Sequence, residues 1–236
     1  MSDSDSHSPA QGAFFGRRKG HRLRAGQASL IETLLPRLSL DISAAAPSSL
    51  ASLASLFDPP VKEVKLEIGF GGGEHLVAEA AQNPDTGFIG CEPYVNGMAK
   101  ILAQIDARQL SNIRLFAGDA AELLAWAPPA SLARIDLIHP DPWPKRRHWK
   151  RRFVQDATIR AMARVLTSGG LFRFVSDIDD YSAWTLAHFQ RADDFVWTAE
   201  RAGDWNAPWP GFTKTRYGAK AEREGRRATY LAFRRR

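Results

Sequence analysis

The stretch Val64-Lys-Leu-Glu-Ile-Gly-Phe-Gly-Gly-Gly73 decides the fold, because it joins a short apolar strand to a run of glycines. We predict a strand over residues 64–68 and a helix from about Glu74 to Ala81. Glycine tolerates positive φ and lets a ligand approach the backbone closely. The stretch therefore predicts a strand–turn–helix unit whose turn can bind a ligand, although a purely structural turn would use the same glycines.

The same unit recurs toward the C-terminus. Further strands are predicted at residues 88–91, 113–116, 135–138, 171–175, 195–199 and 229–233. Helices are predicted at about residues 27–35, 94–109, 120–126, 150–166 and 181–191. We expect the helix at 150–166 to stop at Gly169-Gly170, residues 43–56 to form a loose helix or linker, and residues 201–227 to form a long polar loop. Alternating strands and helices predict an α/β fold with a mostly parallel seven-stranded sheet and helices on both faces.

Several polar or glycine-rich groups follow directly after predicted strands. They are Gly69–Gly73, Glu92, Asp119, Pro140–Trp143 and Asp177. Ligands of parallel α/β sheets bind at the carboxyl ends of the strands. We therefore expect these groups to meet around one ligand site.

The acids around the glycine turn favour a cationic ligand. Glycines at 69, 71, 72 and 73, with Glu74 in the third place, do not fit the Gly-x-Gly-x-x-Gly spacing of dinucleotide sites. Glu67 and Glu92 suit an ammonium group and a ribose diol, and Asp119 suits an adenine amine. S-adenosylmethionine carries all three features, so it is favoured over NAD, which remains a competitor because an acid after the second strand also suits its ribose.

A second motif, Pro140-Asp-Pro-Trp-Pro-Lys145, follows the fourth strand and leads into a basic run. Its prolines bar a helix and predict a stiff, extended loop that carries Asp141 and Trp143. Six cations and no acid follow by residue 152. This pattern predicts a base-binding site with a phosphate anchor, although a solvated helix start after a structural turn would also fit.

The charge distribution points to a polyanion partner. Residues 14–25, 143–152 and 212–236 hold 20 of the 32 Lys and Arg but 2 of the 26 acids, so they carry +18 against −12 elsewhere. Residues 1–25 are predicted to be a disordered N-terminus and basic arm, and residues 26–236 one domain. The single Cys91, the absence of metal-ligand spacing and the lack of long apolar runs predict a cytoplasmic protein without disulfide, metal site or membrane span. The oligomeric state stays open.

Five motifs in this order resemble the bacterial tRNA (guanine-N7)-methyltransferases. They are Leu66-Glu-Ile-Gly-Phe-Gly-Gly-Gly73, Gly90-Cys-Glu92, Gly118-Asp-Ala120, Pro140-Asp-Pro-Trp-Pro-Lys145 and Ser176-Asp177. The resemblance covers about residue 13 to the C-terminus, and the Pro140–Lys145 block is its specific part. It implies a Rossmann-like class I methyltransferase fold, S-adenosyl-L-methionine as cofactor and a variable-loop guanine of tRNA, at position 46, as substrate.

The resemblance also implies roles for individual residues. It implies cofactor contacts for Glu67, Gly69, Gly71, Glu92, Asp119 and Asp141, and substrate contacts for Lys145, Asp177, Thr215, Arg216, Tyr217 and Gly218. The family carries an acid where this chain has Gly218, so the substrate interaction there is either absent or taken over by a neighbour such as Glu222 or Glu224. His139 is interpreted as a strand-end residue, not as a base.

Asp141 is the predicted catalytic residue. Guanine N7 carries a lone pair and no proton, so its attack on a methyl group needs alignment and charge stabilisation, not a base. Two alternatives stay open: a methyltransferase of the same fold acting on another RNA or a small molecule, and a non-catalytic RNA-binding protein.

Overall fold

The computed structural model describes residues 16, 18, 20–43 and 46–236. The predicted disorder of residues 1–12 and most of the basic arm lie outside these residues. The described strands are Glu63–Ile68 (β1), Thr86–Cys91 (β2), Ile113–Phe116 (β3), Leu132–Ile138 (β4), Leu166–Ser176 (β5), Phe195–Trp197 (β6) and Thr229–Arg235 (β7). The helices are Ala25–Thr33 (α1), Leu35–Leu38 (α2), Leu50–Ala54 (α3), Glu74–Gln82 (α4), Val95–Arg108 (α5), Ala120–Trp126 (α6), Asp156–Val165 (α7), Asp179–Phe189 (α8), Gly203–Asn206 (α9) and Arg216–Arg223 (α10), with a 3₁₀ helix at Arg146–Arg151.

The seven described strands form one sheet in the order β3-β2-β1-β4-β5-β7-β6. Strands β1 to β5 pair in parallel, whereas β7 pairs antiparallel with both β5 and β6. The chain crosses from one half of the sheet to the other between β3 and β4, so the strand order reverses beside β1. The predicted α/β fold with a mostly parallel seven-stranded sheet is confirmed.

Two apolar cores cover opposite faces of this sheet. Phe88 and Ile89 are neighbours in β2, and neighbouring strand residues point to opposite faces. Phe88 packs in a core with Leu76 of α4 and Ile101 of α5, whereas Ile89 packs in a core with Leu123 of α6. The second core also receives α7 and α8 side chains, which include Met162 and Phe189. Helices therefore lie on both faces, as the sequence predicts.

The predicted helix at 150–166 begins too early, and its predicted glycine stop signal is wrong, although it ends within one residue of the predicted place. The chain forms the 3₁₀ helix, becomes extended at Arg152 and Gln155, and only then begins α7, where Gln155 N donates to Thr158 Oγ1 over 3.0 Å. Gly169 and Gly170 lie inside β5 and do not end the helix. Helix α7 stops at Val165 because Leu166 is already extended and pairs with β4.

Other boundaries also move. Helix α1 ends at Thr33, and Pro36 lies in the first turn of α2, where its missing N–H is tolerated. Residues 50–54 of the unassigned segment form α3, which buries Leu53; residues 44 and 45 lie outside the described part. The predicted long loop at 201–227 contains α9 and α10, and β6 ends at Trp197, not at residue 199.

Candidate functional site

A cavity of about 770 Å³ opens at the carboxyl ends of the parallel strands. That volume lies within the range of small-molecule sites, and the cavity sits beside β1, where the strand order reverses. Eight of the residues predicted for the site line it: Gly69, Gly71, Glu92, Asp119, Asp141, Asp177, Arg216 and Tyr217. Groups from separate strand ends therefore line one cavity.

The glycine turn after β1 forms one wall of the cavity. Gly69, Gly71 and Gly73 have φ values of 70°, 58° and 83°, which favour glycine. A Cβ on Gly73 would lie 2.6 Å from Ile101, so this glycine also lets the turn approach α5. A Cβ on Gly69 would meet no atom within 4 Å, and Gly69 lines the cavity. The Gly69 backbone therefore stays open to a ligand.

Glu92 ties this turn to the end of β2. Its Oε2 accepts from Gly71 N at 2.8 Å and its Oε1 from Tyr94 N at 3.0 Å. Burial raises the pKa of Glu92 above its ordinary value, although these two backbone N–H groups stabilise the charged form. Its oxygens keep further lone pairs for a ligand hydroxyl. Asp119 also lines the cavity, and its Oδ1 caps α6 by accepting from Ala121 N at 2.9 Å.

Glu67 lies outside the cavity lining. Leu66 and Ile68 face the core on one side of the sheet, so Glu67 between them points to the other side, toward α4. There its Oε2 lies 2.7 Å from Nδ1 of His75, and both side chains are buried. The predicted contact of Glu67 with the cofactor stays a prediction. Glu67 lies inside a strand, whereas the other predicted acids follow strands, so the alternation of side chains along β1 is the sequence signal that places it on the other face.

The loop after β4 carries Asp141 between two strained residues. His139 and Trp143 have φ values of 49° and 44°, so the loop is not simply extended as predicted. Such values are rare for side-chain-bearing residues and often occur at functional sites. Asp141 forms no hydrogen bond or ion pair with any residue that the structure describes. Although Asp141 is exposed in the open cavity, the surrounding walls desolvate its carboxyl group and raise its pKa.

Arg152 holds this loop from behind. Its Nε donates to the Pro142 carbonyl at 2.9 Å, and its Nη2 pairs with Asp180. Its buried guanidinium lies 4.9, 5.0 and 5.1 Å from the ring centroids of Trp149, Tyr181 and Trp184. These contacts fix the Pro142 backbone directly beside Asp141. The sequence shows Arg152 only as one cation of a basic run, because two of its three aromatic partners come from α8, far away in the chain.

Asp177 lines the cavity and binds two cationic or ionisable groups. Its Oδ1 lies 3.1 Å from Nδ1 of His139, and its Oδ2 accepts from Arg226 Nε at 2.6 Å. Burial alone would raise the pKa of Asp177, but the hydrogen bonds from Arg226 and His139 lower it. The sequence did not single out Arg226 or His139 for the site. His139 follows β4, Asp177 follows β5 and Arg226 precedes β7, and only the folded sheet brings these three positions together.

The four residues Thr215 to Gly218 begin α10. Arg216 and Tyr217 line the cavity, and the Arg216 guanidinium lies 4.8 Å from the Tyr217 ring centroid. Thr215 is buried and caps the helix by accepting from Gly218 N at 3.2 Å. Thr215, Gly218 and Lys145 are not among the lining residues, so their predicted substrate contacts stay predictions.

The basic side of the cavity contains residues that the sequence did not single out individually. Lys150, Arg151, Lys220 and Arg226 line it together with Arg216. Within the described residues, no three His, Cys, Asp or Glu side chains come together as a metal site. Among the described helices, none has the length and apolar character that crossing a bilayer requires.

Comparison with known proteins identifies the family. A family model described as "Putative methyltransferase" matches residues 61–231. The chain is 74% identical over 232 residues to a tRNA (guanine-N(7)-)-methyltransferase of Rhodopseudomonas palustris (strain BisA53), which covers 98% of this chain and 92% of that protein. It is 71% identical over 223 residues to a protein of the same name from Bradyrhizobium diazoefficiens, with 94% and 93% covered.

Two solved structures share the fold. The 16S rRNA methyltransferase KamB superimposes with a TM-score of 0.52 at 18% identity, covering 80% of this chain and 94% of that one. SMU.1697c of Streptococcus mutans, solved with SAH, has a TM-score of 0.50 at 9% identity, covering 87% and 97%. The sheet order, the position of the cavity and the relatives that match over most of the chain all point to the same family. This chain belongs to the bacterial tRNA (guanine-N7)-methyltransferase family, on a Rossmann-like class I methyltransferase fold.

Proposed function

We propose that this chain transfers a methyl group from S-adenosyl-L-methionine to N7 of a guanine in tRNA. The observation that carries the proposal is Asp141, a carboxylate without a partner among the described residues, held on a strained loop inside the cavity. The names of the relatives and the SAH in SMU.1697c support the reaction and the cofactor.

The strand-end acids and glycines fit the cofactor. Gly69 leaves open space beside its backbone, and Glu92 offers lone pairs to a ribose diol. Asp119, on the next strand end, suits the adenine amine, and Gly71 completes the wall. When bound, the cofactor supplies an electrophilic methyl group on a sulfonium. Acids in this wall stabilise that cation, whereas the pyrophosphate of NAD would meet the same carboxylates at a cost.

The cations on the opposite side fit the tRNA backbone. Lys150, Arg151, Lys220 and Arg226 line the cavity, and Arg146 and Arg147 are exposed on the 3₁₀ helix. Lys145 is exposed at the start of that helix, which suits a phosphate contact. Phosphate contacts of this kind position a nucleic acid, and contacts at the base select the nucleotide. The target guanine is expected in the variable loop, at position 46.

Asp141 acts by charge and position. Attack by N7 moves positive charge from the sulfonium onto the purine ring, and a fixed carboxylate nearby stabilises that charge. The Arg152–Pro142 contact and the flanking prolines hold Asp141 without reorganisation. In-line alignment of N7, the methyl carbon and sulfur supplies the rest.

The described residues of the N-terminal segment lie beside this surface. Gly20 N donates to Asn96 Oδ1 at 2.8 Å, Asn96 Nδ2 donates to the His21 carbonyl at 2.7 Å, and Gly16 lines the cavity. We infer that residues 1–25 form an arm that contacts tRNA, and that residues 26–236 form the methyltransferase domain. A cytoplasmic location suits a tRNA substrate.

Transfer of labelled methyl to unmethylated tRNA tests the proposal, with nucleoside analysis of the product. We expect 7-methylguanosine. Methylation of only another RNA or a small molecule, or tRNA binding without transfer, would establish one of the two alternatives.

The tRNA surface is tested by the salt dependence of binding. Replacing Arg146 and Arg147 with Ala should lower the slope of log affinity against log salt by about one for each phosphate that is no longer neutralised. Lys62→Ala is the matched control, because Lys62 is exposed and pairs with Asp85 outside the basic segments. If the Arg146/Arg147 variant has the same salt slope as Lys62→Ala, the 3₁₀ helix does not contact the tRNA phosphates.

A further inference from the structure

His139 occupies an unusual place at the end of β4. It is the last residue before Pro140, has a φ of 49°, and lines the cavity. Its side chain is only 5% exposed, and Nδ1 lies 3.1 Å from Oδ1 of Asp177. The other oxygen of Asp177 accepts from Arg226, so the carboxylate cannot turn away without losing a second ion pair. The imidazole ring is therefore fixed from the Nδ1 side.

The hydrogen-bonding role of the opposite ring nitrogen follows from these partners. The two hydrogen bonds that lower the pKa of Asp177 keep it ionised, and an ionised carboxylate only accepts. Nδ1 must then carry the proton. Burial lowers the pKa of His139 more than Asp177 raises it, so the ring is neutral. Nε2 is left with a lone pair and acts as an acceptor.

Gly218 faces this nitrogen. A Cβ on Gly218 would lie 3.2 Å from Nε2 of His139 and 3.3 Å from Cγ of Lys214. Gly218 does not have a positive φ, so its backbone does not require glycine. The family resemblance puts a substrate-contacting acid at this position, and an acid side chain would start beside Nε2. The glycine of this chain has no such side chain, and Nε2 has no hydrogen-bond partner among the described residues.

We propose that Nε2 of His139 recognises the target base, by accepting a hydrogen bond from the N1–H and N2–H₂ edge of guanine. This inference rests on the proposed guanine-N7 methylation and assigns to His139 the acceptor role that an acid at 218 would fill. Adenine presents an unprotonated N1 at the same edge, so it would set a lone pair against Nε2. His139 is thus a specificity residue.

The contact also strengthens during the reaction. Methylation at N7 makes the purine ring cationic, and a cationic ring is a stronger donor at N1–H and N2–H₂. An acceptor on that edge is therefore better paired in the transition state than in the ground state. Loss of His139 should lower kcat more than it raises KM, because the interaction gained in the transition state is the one removed.

Methyl transfer to tRNA by His139 variants tests the inference. His139→Asn suits the positive φ and still reaches Asp177, but it has no atom at the Nε2 position. His139→Gln places an amide near that position. We expect His139→Asn and His139→Ala to lose about 10²-fold or more in kcat/KM, mostly in kcat, the scale of leaving base donors unpaired. His139→Gln should keep at least ten times more activity than His139→Asn.

The decisive variant restores the acid. His139→Ala makes room for a longer side chain, so the double variant His139→Ala with Gly218→Glu should recover at least about tenfold over His139→Ala alone, because a carboxylate again accepts from the base edge. Glu222→Ala tests the competing acceptor on the same helix, whose exposed carboxylate pairs with Lys214 at 2.7 Å. Cofactor affinity, measured by calorimetry, should match wild type in every variant.

The outcomes separate the two proposals. No methyl transfer to tRNA by the wild-type chain would refute the proposed function itself. Wild-type transfer with near-normal kcat in His139→Asn, or loss of activity in Glu222→Ala instead, would overturn only the role of His139. A double variant no better than His139→Ala would also overturn it.

Discussion

Glu67 lies in β1 and Asp141 follows the adjacent strand β4, yet their surroundings are opposite. Glu67 lies within β1, faces α4, and shares a 2.7 Å contact with buried His75. Asp141 lies three residues beyond the end of β4, faces the cavity, and has no partner in the described chain. The difference shows that two acids near strand ends can have opposite surroundings. We expect the face of the sheet and the number of partners to separate the roles of these two acids.

The Glu67 side belongs to a buried charged network under the sheet. Arg134 of β4 donates to Glu79 at 2.6 Å and to Asp136 at 2.8 Å, next to the Glu67–His75 pair. Removing one member of a buried pair leaves the other without compensation, which is the costly case. By contrast, no described residue forms an ion pair or a hydrogen bond with the Asp141 carboxylate, which lines the cavity.

The largest expected effect is on stability, at Glu67. Glu67→Ala should lower the free energy of unfolding by about 3–5 kcal/mol, because His75 loses its partner in a buried site. Denaturant unfolding measures this, and Glu63→Ala is the matched control, as Glu63 lies on the same strand face in a partly exposed pair with Lys65. A stable Glu67→Ala protein with lost cofactor binding would instead support the contact that the family resemblance implies.

The next effect is on catalysis, at Asp141. Asp141→Asn keeps the shape and removes the charge, so we expect kcat to fall by about 10²-fold or more. Stability and tRNA affinity should stay near wild type, because no described residue pairs with this carboxylate. Single-turnover methyl transfer measures the chemical step, and near-normal turnover would contradict a role based on charge.

The pH profile sharpens this prediction. Desolvation raises the pKa of Asp141, so the charged form is lost at a higher pH than for an ordinary aspartate as the solution is acidified. The wild-type rate should therefore fall on the acid side with that raised pKa, while it stays level above it. Asp141→Asn should lack this acid limb. If the rate falls in the same way at acid pH in both proteins, another group causes the fall.

Glu92 is the intermediate case, since it has backbone partners and also lines the cavity. Glu92→Ala should weaken cofactor binding by about 1–3 kcal/mol, the cost of leaving ligand hydroxyls unpaired. Glu92→Gln keeps the shape and an acceptor, so it should lose less. Calorimetry with S-adenosylmethionine and with NADH measures both, and tight NADH binding without a response to S-adenosylmethionine would reverse the choice of cofactor.

The sequence predicted the parts of this site that depend on local pattern. Gly69, Glu92, Asp119 and Asp141 follow strands, and a parallel sheet brings such residues to one edge whatever the details of packing. Arg152 could not be predicted, because its role depends on aromatic rings that come from α8 and the 3₁₀ helix.

The wrong stop signal at Gly169-Gly170 has a related cause. A glycine pair commonly follows a helix, but here the residues after Val165 pair with β4, and that long-range contact overrides the local signal.

The smallest expected effect is that of Thr215→Ala, which tests directly whether a side chain with a partner inside the protein is structural. The family resemblance implies a substrate contact, but its hydroxyl accepts from Gly218 N at 3.2 Å and caps α10. Thr215→Ala should therefore lower the free energy of unfolding by about 1 kcal/mol, the usual cost of losing an N-cap.

Arg216 and Tyr217 occupy the first turn that the Thr215 cap holds, so KM for tRNA should rise modestly while kcat stays near wild type. Thr215→Ser keeps the capping oxygen and should restore both stability and KM. If kcat falls in Thr215→Ala while stability does not, the hydroxyl contacts substrate directly. In that case a partnered side chain is functional after all, and the number of partners would no longer separate structural from functional residues here.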